Sequence, residues 1–537
     1  MAVTPQTTIR LLKVPLEIDN KNQITFASEQ AQRNYFLSLP HLEIDECSYQ
    51  RKDNIMYFPE HIDNLLEYNY VMYLNENYTN KWFYAFIDKM EYETDYNTAI
   101  HISTDVYQTW QFNLTFKKSF VEREHVQVSD DIVGKHTIPE NLETGEYICN
   151  EHYKDITFDD NINDFCFIMA STSEPIGGEA KDTVAPSGIY NGIYTGLAYY
   201  RYDNPIGIDT ILSTFATAGK TDAINGIFMA PKFLAPLSSS GTPALYRQVA
   251  ESDDPVNYAF TLNKQQTLNG YTPRNQKLKC FPYNYLVMSN NIGQNSILHY
   301  EKFDNPGDDV CDFRVDGVLC PGCSIKITPR FYNGSDNADD EAISLGKLPI
   351  CNFQNDMYTN WLTQNSINVL GNTITTDDLN MANSALSSAV GTATNLAVGN
   401  YVGAGMSLAS GVSGITNSLI QQKQHNMISP SLKGSLNSAD INVANGNNTF
   451  HFYKMSIKEE YARILDNYFD MFGYKVNDVK IPNLTGRPNW NYVKTIDCNI
   501  TGNIPQEDMQ TIKNIFNNGV TLWHNTSTFL DYSQNNR

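Results

Sequence analysis

Nine cysteines and ten histidines have the widest chemical reach in this 537-residue chain. Cys320-Pro321-Gly322-Cys323 has the spacing of a redox couple or of half a zinc site. A tetrahedral zinc needs two more ligands, and no second Cys-x-x-Cys or nearby His pair supplies them. The other reading is a pair of buried free thiols in a strand-turn-strand. The remaining cysteines, Cys47, Cys149, Cys166, Cys280, Cys311, Cys351 and Cys498, are scattered, and the total is odd. That argues against a disulfide framework and for synthesis in a reducing cytoplasm. His101, His125, His136 and His152 stand in unrelated contexts. His125, in Glu122-Arg123-Glu124-His125, has the chemistry of a general base but reads better as the polar end of a strand. The acidic loops Asp304–Asp312 and Asp336–Glu341 offer carboxylates to Ca²⁺, yet neither has the twelve-residue EF-hand spacing, and both read as solvated loops. There is no Gly-x-Ser-x-Gly elbow, Walker loop, dinucleotide fingerprint or His-Glu-x-x-His. No catalytic residue, metal ligand or cofactor site is assigned, and the chain is not read as an enzyme.

The strongest signal is an absence of charge. Residues 379–422, between Asp378 and Lys423, contain no charged side chain. The run is almost wholly Ala, Gly, Ser, Thr, Val, Leu, Ile, Met and Asn. Its apolar positions include Leu386, Val390, Leu396, Val398, Tyr401, Val402, Met406, Leu408, Val412, Ile415, Leu419 and Ile420. Gly391, Gly399, Gly403, Gly405, Gly411 and Gly414 punctuate it, and Gly399 and Gly403 are four apart. Two helices joined near Gly399–Gly405 would each hold about 20 residues, enough to cross a hydrocarbon core of roughly 30 Å. Small residues at four-residue spacing let such helices approach closely. Its Ser, Thr and Asn content makes the run less greasy than an ordinary span. It therefore reads as stable in two settings, packed in an assembly or inserted in a bilayer. The competing reading is a Gly/Ala/Ser linker or a hairpin packed in a soluble core.

The elements around this run are mainly β. Lys81–Met90 is a dense aromatic strand. Asn97–Gln111 alternates, with Ile100, Ile102, Thr104, Val106 and Gln108 on one face. Thr137–Asp164 has weak periodicity and predicts a linker or long loop. Phe165–Ala170 predicts a short buried strand that opens a middle region. That region is rich in Gly, Pro, Asn and Ser, and its Ser324–Tyr332 strand alternates until Pro329. Ser456-Ile457-Lys458-Glu459 has the pattern of a capping box. The helix it predicts carries Tyr461, Ile464, Leu465, Tyr468, Phe469 and Phe472 as one stripe, with Gly473 as terminator. A second helix is predicted from Pro505 to Asn518, with Met509, Ile512 and Phe516 inward and Gly519 beyond, followed by a strand Val520–His524.

Composition narrows the class. Lys+Arg number 38 against 60 Asp+Glu, a net charge of −22, which argues against a free-standing nucleic-acid binder. Aromatic content of 12% argues against disorder. The 33 Tyr and about 59 Asn point to many strands and wet turns. Charged residues are only 18%, which fits a chain that buries surface in an assembly. The start Met1–Arg10 lacks an apolar core and predicts no signal peptide.

Three collinear stretches carry a resemblance. The first is Asn80-Lys81-Trp82-Phe83-Tyr84-Ala85-Phe86, continuing to Thr109-Trp110-Gln111-Phe112-Asn113 and Arg123-Glu124-His125-Val126. The second is Tyr474-Lys475-Val476-Asn477 through Lys480-Ile481-Pro482-Asn483-Leu484, with Asn491-Tyr492-Val493. The third is Ile515-Phe516-Asn517-Asn518-Gly519-Val520-Thr521-Leu522-Trp523-His524. In these the chain resembles the tail knob, or distal tail tube, proteins of small short-tailed phages of Gram-positive bacteria. The resemblance implies a virion protein at the tail tip, a homohexamer around a channel for genome ejection. It implies a tail-tube-like β-barrel built from the N- and C-terminal parts, with a loop-rich β middle region. The uncharged run sits where such proteins keep a long apolar loop. That loop first plugs the lumen and then penetrates the host cell membrane as a pore. Implied partners are five further copies, the upper tail or lower collar protein, viral DNA in the lumen, the host membrane and a cell-wall hydrolase at the tip. The expected organisation is residues 1–165 and 446–537 as two parts of the tube domain, 166–365 as the middle region and 366–445 as the loop. The alternative is a tail-tip receptor-binding or cell-wall-degrading protein.

Overall fold

The computed structural model describes residues 7–47, 49–50, 53–75, 79–154, 165–176, 179–181, 188–202, 213–237, 247–290, 293–304, 309–320, 323, 325–345, 348 and 449–537. The chain is mainly β and divides into two compact units. The first takes residues 1–144, 273–278 and 460–537, and the second takes 145–272 and 279–459.

The first unit is built on a seven-stranded antiparallel sheet. Its order is His41–Cys47, Thr7–Leu12, Tyr70–Asn75, Thr79–Thr94, Asn97–Thr104, Ile55–Phe58 and Tyr49–Gln50. The period-2 pattern explains its two dry faces. Ile9, Leu11, Val71, Tyr73, Phe83, Ala85, Ile100 and Ile102 share one core. Their neighbours Leu12, Tyr70, Met72, Tyr84 and Phe86 fill another around Phe36. Phe36 belongs to helix α1 (Glu29–Ser38), which Ser28 caps by accepting from the Ala31 amide. The dense aromatic run at 81–90 is thus a strand, as its sequence predicts, and over Phe83–Phe86 both of its faces are covered.

A second sheet in this unit joins the chain ends. Its order is Asn22–Ile24, Val520–Trp523, Trp490–Asp497, Ser119–Glu124 and Tyr474–Lys480. Asn22–Ile24 runs parallel to Val520–Trp523, and the other pairs are antiparallel. Between Thr104 and this sheet the chain turns through α2 (Val106–Trp110). The helix Glu459–Phe472 is α3, and α4 (Gln506–Asn518) buries Ile512, Ile515 and Phe516 against Val493, Val520 and Leu522.

Among the described residues, the second unit holds three larger antiparallel sheets beside two two-stranded ladders. One orders Tyr147–Lys154, His451–Ile457, Asn284–Ser289 and Asn295–Leu298. Another orders Ile224–Pro231, Phe165–Ser171, Ala198–Tyr202 and Arg247–Gln248. The third orders Asn257–Asn263, Val310–Gly317, Ile325–Tyr332 and Ser335–Asn337, with Ile343–Leu345 also on Ile325–Tyr332. A single large core draws on all three, including Ile168, Phe228, Leu286, Phe313, Ile327 and Phe452.

Several local expectations are corrected. The alternation read through to Gln111 stops at Thr104, because the Asp105 carboxylate accepts from the Gln108 amide at 3.1 Å and starts α2. The stretch 137–164 is not all loop, since Tyr147–Lys154 pairs with His451–Ile457. Its weak periodicity reflects an edge strand with mostly exposed side chains. Pro329 does not end its strand: it faces Phe313 in register, and its carbonyl accepts from the Ala338 amide at 2.8 Å. The capping box fails because Ser456 is a buried strand residue whose hydroxyl accepts from Asn150 at 2.8 Å. The buried side of α3 is Ala462, Leu465, Asp466 and Phe469, and Ile464 is 64% exposed. Gly473 does terminate α3, at φ 63°. Pro505 sits at the N-cap of α4 rather than inside its first turn.

Candidate functional site

The apolar residues named between Leu386 and Ile420, and the glycines between Gly391 and Gly414, lie outside the described residues. Among the described residues, no helix is long and apolar enough to cross a membrane. The geometry on view is that of the first unit's polar centre, which ties the chain ends together.

Glu140 is its hub. The Glu140 carboxylate is fully buried and receives the Arg123 guanidinium and the Lys277 ammonium, which are themselves 11% and 4% exposed. It also accepts the Lys475 amide at 3.0 Å. Lys277 donates further to the Ile138 carbonyl at 2.9 Å, and Arg123 to the Gly473 carbonyl at 2.7 Å. A buried carboxylate with two cations and a backbone donor meets the requirement that a buried charge be paired and hydrogen-bonded. Asp466, on the buried side of α3, is a second anchor. It accepts the Arg274 and Asn275 amides at 2.8 and 3.1 Å and the Asn275 side-chain amide. Those bonds, with Lys277 on Glu140, explain why the short segment 273–278 counts with the first unit. Arg487 donates to the Val126 carbonyl at 2.7 Å and to Asp131 at 3.3 Å, and Tyr474 donates to Asp131 at 2.8 Å.

None of this is poised for catalysis. His125 is buried, and both ring nitrogens are engaged. Nδ1 accepts the Tyr492 amide at 2.7 Å, so Nε2–H donates to the Asp470 carbonyl at 3.0 Å. Burial, with Arg487 nearby, pushes its pKa down to about 3, so it stays neutral. A base needs a free nitrogen facing a substrate, and His125 has none. A small cleft beside it is lined by Asp131, Tyr474, Arg487 and Arg537 among others. Cys320 and Cys323 are buried thiols outside any disulfide, as one of the two readings has it, and burial raises the Cys323 pKa well above the usual range. A thiol held protonated is a poor nucleophile and a poor ligand. Among the described residues, no group of three or more His, Cys, Asp and Glu is arranged to hold a metal ion. Sequence reasoning missed Glu140, Asp466 and Lys277 altogether. Their partners lie far off in the chain, and a lone acid or lysine gives no local signal.

Comparison with known proteins fits a structural part. The family profile described as Bacillus phage phi29 tail knob protein gp9, C-terminal domain, matches residues 247–537, more than half of the chain. The chain belongs to the tail knob protein family. A second profile, the Caudoviral major tail protein N-terminus, matches residues 5–115, which contain the whole seven-stranded sheet. Tail knob protein gp9 of Bacillus phage PZA is 29% identical, covering 99% of this chain and 98% of its own length. Tail knob protein gp9 of Bacillus phage phi29 is 27% identical with the same coverage. The solved structure of the bacteriophage C1 tail knob protein gp12 aligns with a TM-score of 0.65 over 98% of each chain, at 13% identity. This tail knob protein is a virion tail component, and its relatives are structural proteins rather than enzymes.

Proposed function

We propose that six copies of the chain form the tube of the tail knob, that the genome leaves through its lumen, and that the uncharged segment plugs the lumen and then enters the host cell membrane. One observation carries the membrane part: the unbroken absence of charge over residues 379–422 in a chain whose net charge is −22. A run of that length without charge crosses a bilayer at low cost, whereas each mid-bilayer Asp or Lys adds about 2.5–3.5 kcal/mol or more. Gly399 and Gly403 give the packing face that both a lumen plug and a membrane bundle need.

In this reading residues 1–165 and 446–537 supply two parts of the ring domain, 166–365 the middle region and 366–445 the plug. The shared five-stranded sheet of Asn22–Ile24, Ser119–Glu124 and the C-terminal strands supports the joint contribution of both ends. Six copies carry a net charge of about −132, and a lumen without a surplus of Lys and Arg lets DNA slide rather than stick. Upward partners are the upper tail or lower collar protein, and a cell-wall hydrolase is a partner at the tip.

Purified full-length protein should appear as six-fold rings with a central hole and should release dye from liposomes. Deletion of 379–422 should keep the rings and abolish leakage. Val402→Asp or Leu408→Asp should cut leakage without touching assembly. Leakage by the deletion variant equal to the parent's would sink the membrane reading. Clearing of peptidoglycan by the purified chain would favour a wall-degrading role instead.

A further inference from the structure

Among the described residues, two of the strand edges in the first unit differ in charge. Strand Thr79–Thr94 outruns its neighbour Tyr70–Asn75. Their ladder ends at Tyr70–Phe86, with the Ile87 amide donating to the Asn69 carbonyl at 3.0 Å. Beyond it, Asp88–Thr94 pairs only with the strand that begins at Asn97. Its other side carries no ladder among the described residues. This hairpin is strongly acidic, with Asp88, Glu91, Glu93 and Asp95 against Lys89. It is also aromatic: Tyr92 is 53% exposed, and Tyr96, at the turn, is 84% exposed.

The second edge is Tyr474–Lys480, which ends the five-stranded sheet and has a ladder only with Ser119–Glu124, its Lys475 and Val479 amides being taken by the Glu140 and Asp478 carboxylates. Ser119 faces Lys480, whose ammonium is held by the buried Glu124, so the positive charge at this end comes from the exposed Lys117 and Lys118, with Asp478 the acid on the strand itself. Beside them lie apolar side chains that find no cover: Val479 is 59% exposed, Ile481 56% and Ile496 61%. Phe120, directly across from Val479, is half-buried.

Open edges with exposed aromatic and aliphatic residues invite pairing with another chain. Charge decides which chain. Two acidic edges brought together set Glu91 and Glu93 against their own copies, and like charges facing each other across a pair destabilise it. Two basic ends repel in the same way. The acidic, tyrosine-bearing edge of one copy fits the lysine-bordered apolar edge of another. Such a contact is heterologous, so it repeats head to tail rather than stopping at a two-fold dimer, and it makes a ring when its rotation closes. We propose that hairpin 88–97 of one copy docks on the edge 474–481 of the next, with Tyr92 and Tyr96 over Val479, Ile481 and Ile496 and the carboxylates beside Lys117 and Lys118. This rests on the ring assembly proposed above and names the surface that makes it.

The test uses the full chain and light scattering after size exclusion. Glu93→Lys with Asp95→Lys should raise the concentration needed for half-assembly at least tenfold. Lys117→Glu with Lys118→Glu should do the same, and the fourfold variant should recover assembly. The geometry is checked by mixing Tyr92→Cys protein with Val479→Cys protein, both in a Cys149→Ser background, and adding a short bismaleimide. Mixed samples should give cross-linked dimers, and neither variant alone should give more than the parent background. A chain carrying both cysteines should give a ladder. Self-cross-linking of Tyr92→Cys alone, or assembly unmoved by both charge reversals while rings still form, overturns the interface and leaves the ring reading standing. A parent chain that stays monomeric at every concentration overturns both.

Discussion

Replacing Glu140 by Gln removes the one negative charge that Arg123 and Lys277 share while keeping the side-chain shape. Both cations are close to fully buried, at 11% and 4% exposure, so water cannot take over the carboxylate's role. Breaking a buried ion pair from one side costs about 3–5 kcal/mol, because the partner charge is left without compensation. The first unit has roughly 230 residues, for which each kcal/mol moves the thermal midpoint by about 2–4 °C. The midpoint should therefore fall by roughly 6–20 °C. Trp82, Trp110, Trp490 and Trp523 all belong to this unit, so tryptophan fluorescence is the assay. Adding Lys277→Met to Glu140→Gln should lose less than the two single losses together, since one stranded cation is gone. A fall below about 2 °C for Glu140→Gln would show that water or a rearranged donor replaces the carboxylate, and the account of the hub would be wrong.

The same probe tests three further points. Gly473→Ala should lower the midpoint sharply: the glycine holds φ 63°, and an added Cβ would meet the Glu124 carbonyl oxygen at 2.2 Å, so tolerance of alanine would refute the close approach. His125 has its pKa depressed from 6.5 to about 3, so the stability it contributes is present above pH 6.5 and drains away as pH falls toward 3, about 5 kcal/mol in all. His125→Gln should flatten that acid limb, and an unchanged limb would assign it elsewhere. Burial raises Asp105 from 3.8 to about 6, so its contribution runs the other way and is lost as pH rises from 4 through 6. Asp105→Asn keeps the cap and should be at least as stable as the parent at pH 7.5; a clear loss there would mean the ionised form is needed.

What could be read from the sequence was whatever a local window contains. Strand 79–94 and α4 announce themselves because their apolar residues recur at periods of 2 and 3.6. Most of the failures involve a distant partner that local pattern does not contain. Asp105 starts a helix where alternation predicts more strand, and its other oxygen accepts Tyr70 at 3.0 Å. Ser456 has the right neighbours for a cap, but Asn150 engages its hydroxyl in a sheet. Segment 273–278 looks like any middle-region loop, and only Asp466 and Glu140 give it another allegiance. The candidate membrane segment is the reverse case. Its signal is pure composition, with no partner needed to see it, and its residues lie outside the described ones.

These long-range bonds also explain how one unit can be assembled from chain ends with so much sequence between them. Trp110 donates to Asp508 at 2.7 Å, Arg123 to the Gly473 carbonyl, Arg487 to the Val126 carbonyl and Trp523 to Asn22 at 3.1 Å. Each joins an N-terminal residue to a C-terminal one. Each is a buried or half-buried polar group whose loss would strand its partner, so together they fix the register in which the ends meet. Closing so long a loop costs entropy only logarithmically in its length, and lengthening or shortening the intervening chain changes that cost by tenths of a kcal/mol. The frame at the chain ends should therefore tolerate the loss of residues 379–422, which contribute to none of these bonds. That tolerance is what makes the deletion a fair test: a defect in dye release from intact rings would belong to the missing segment and not to the frame.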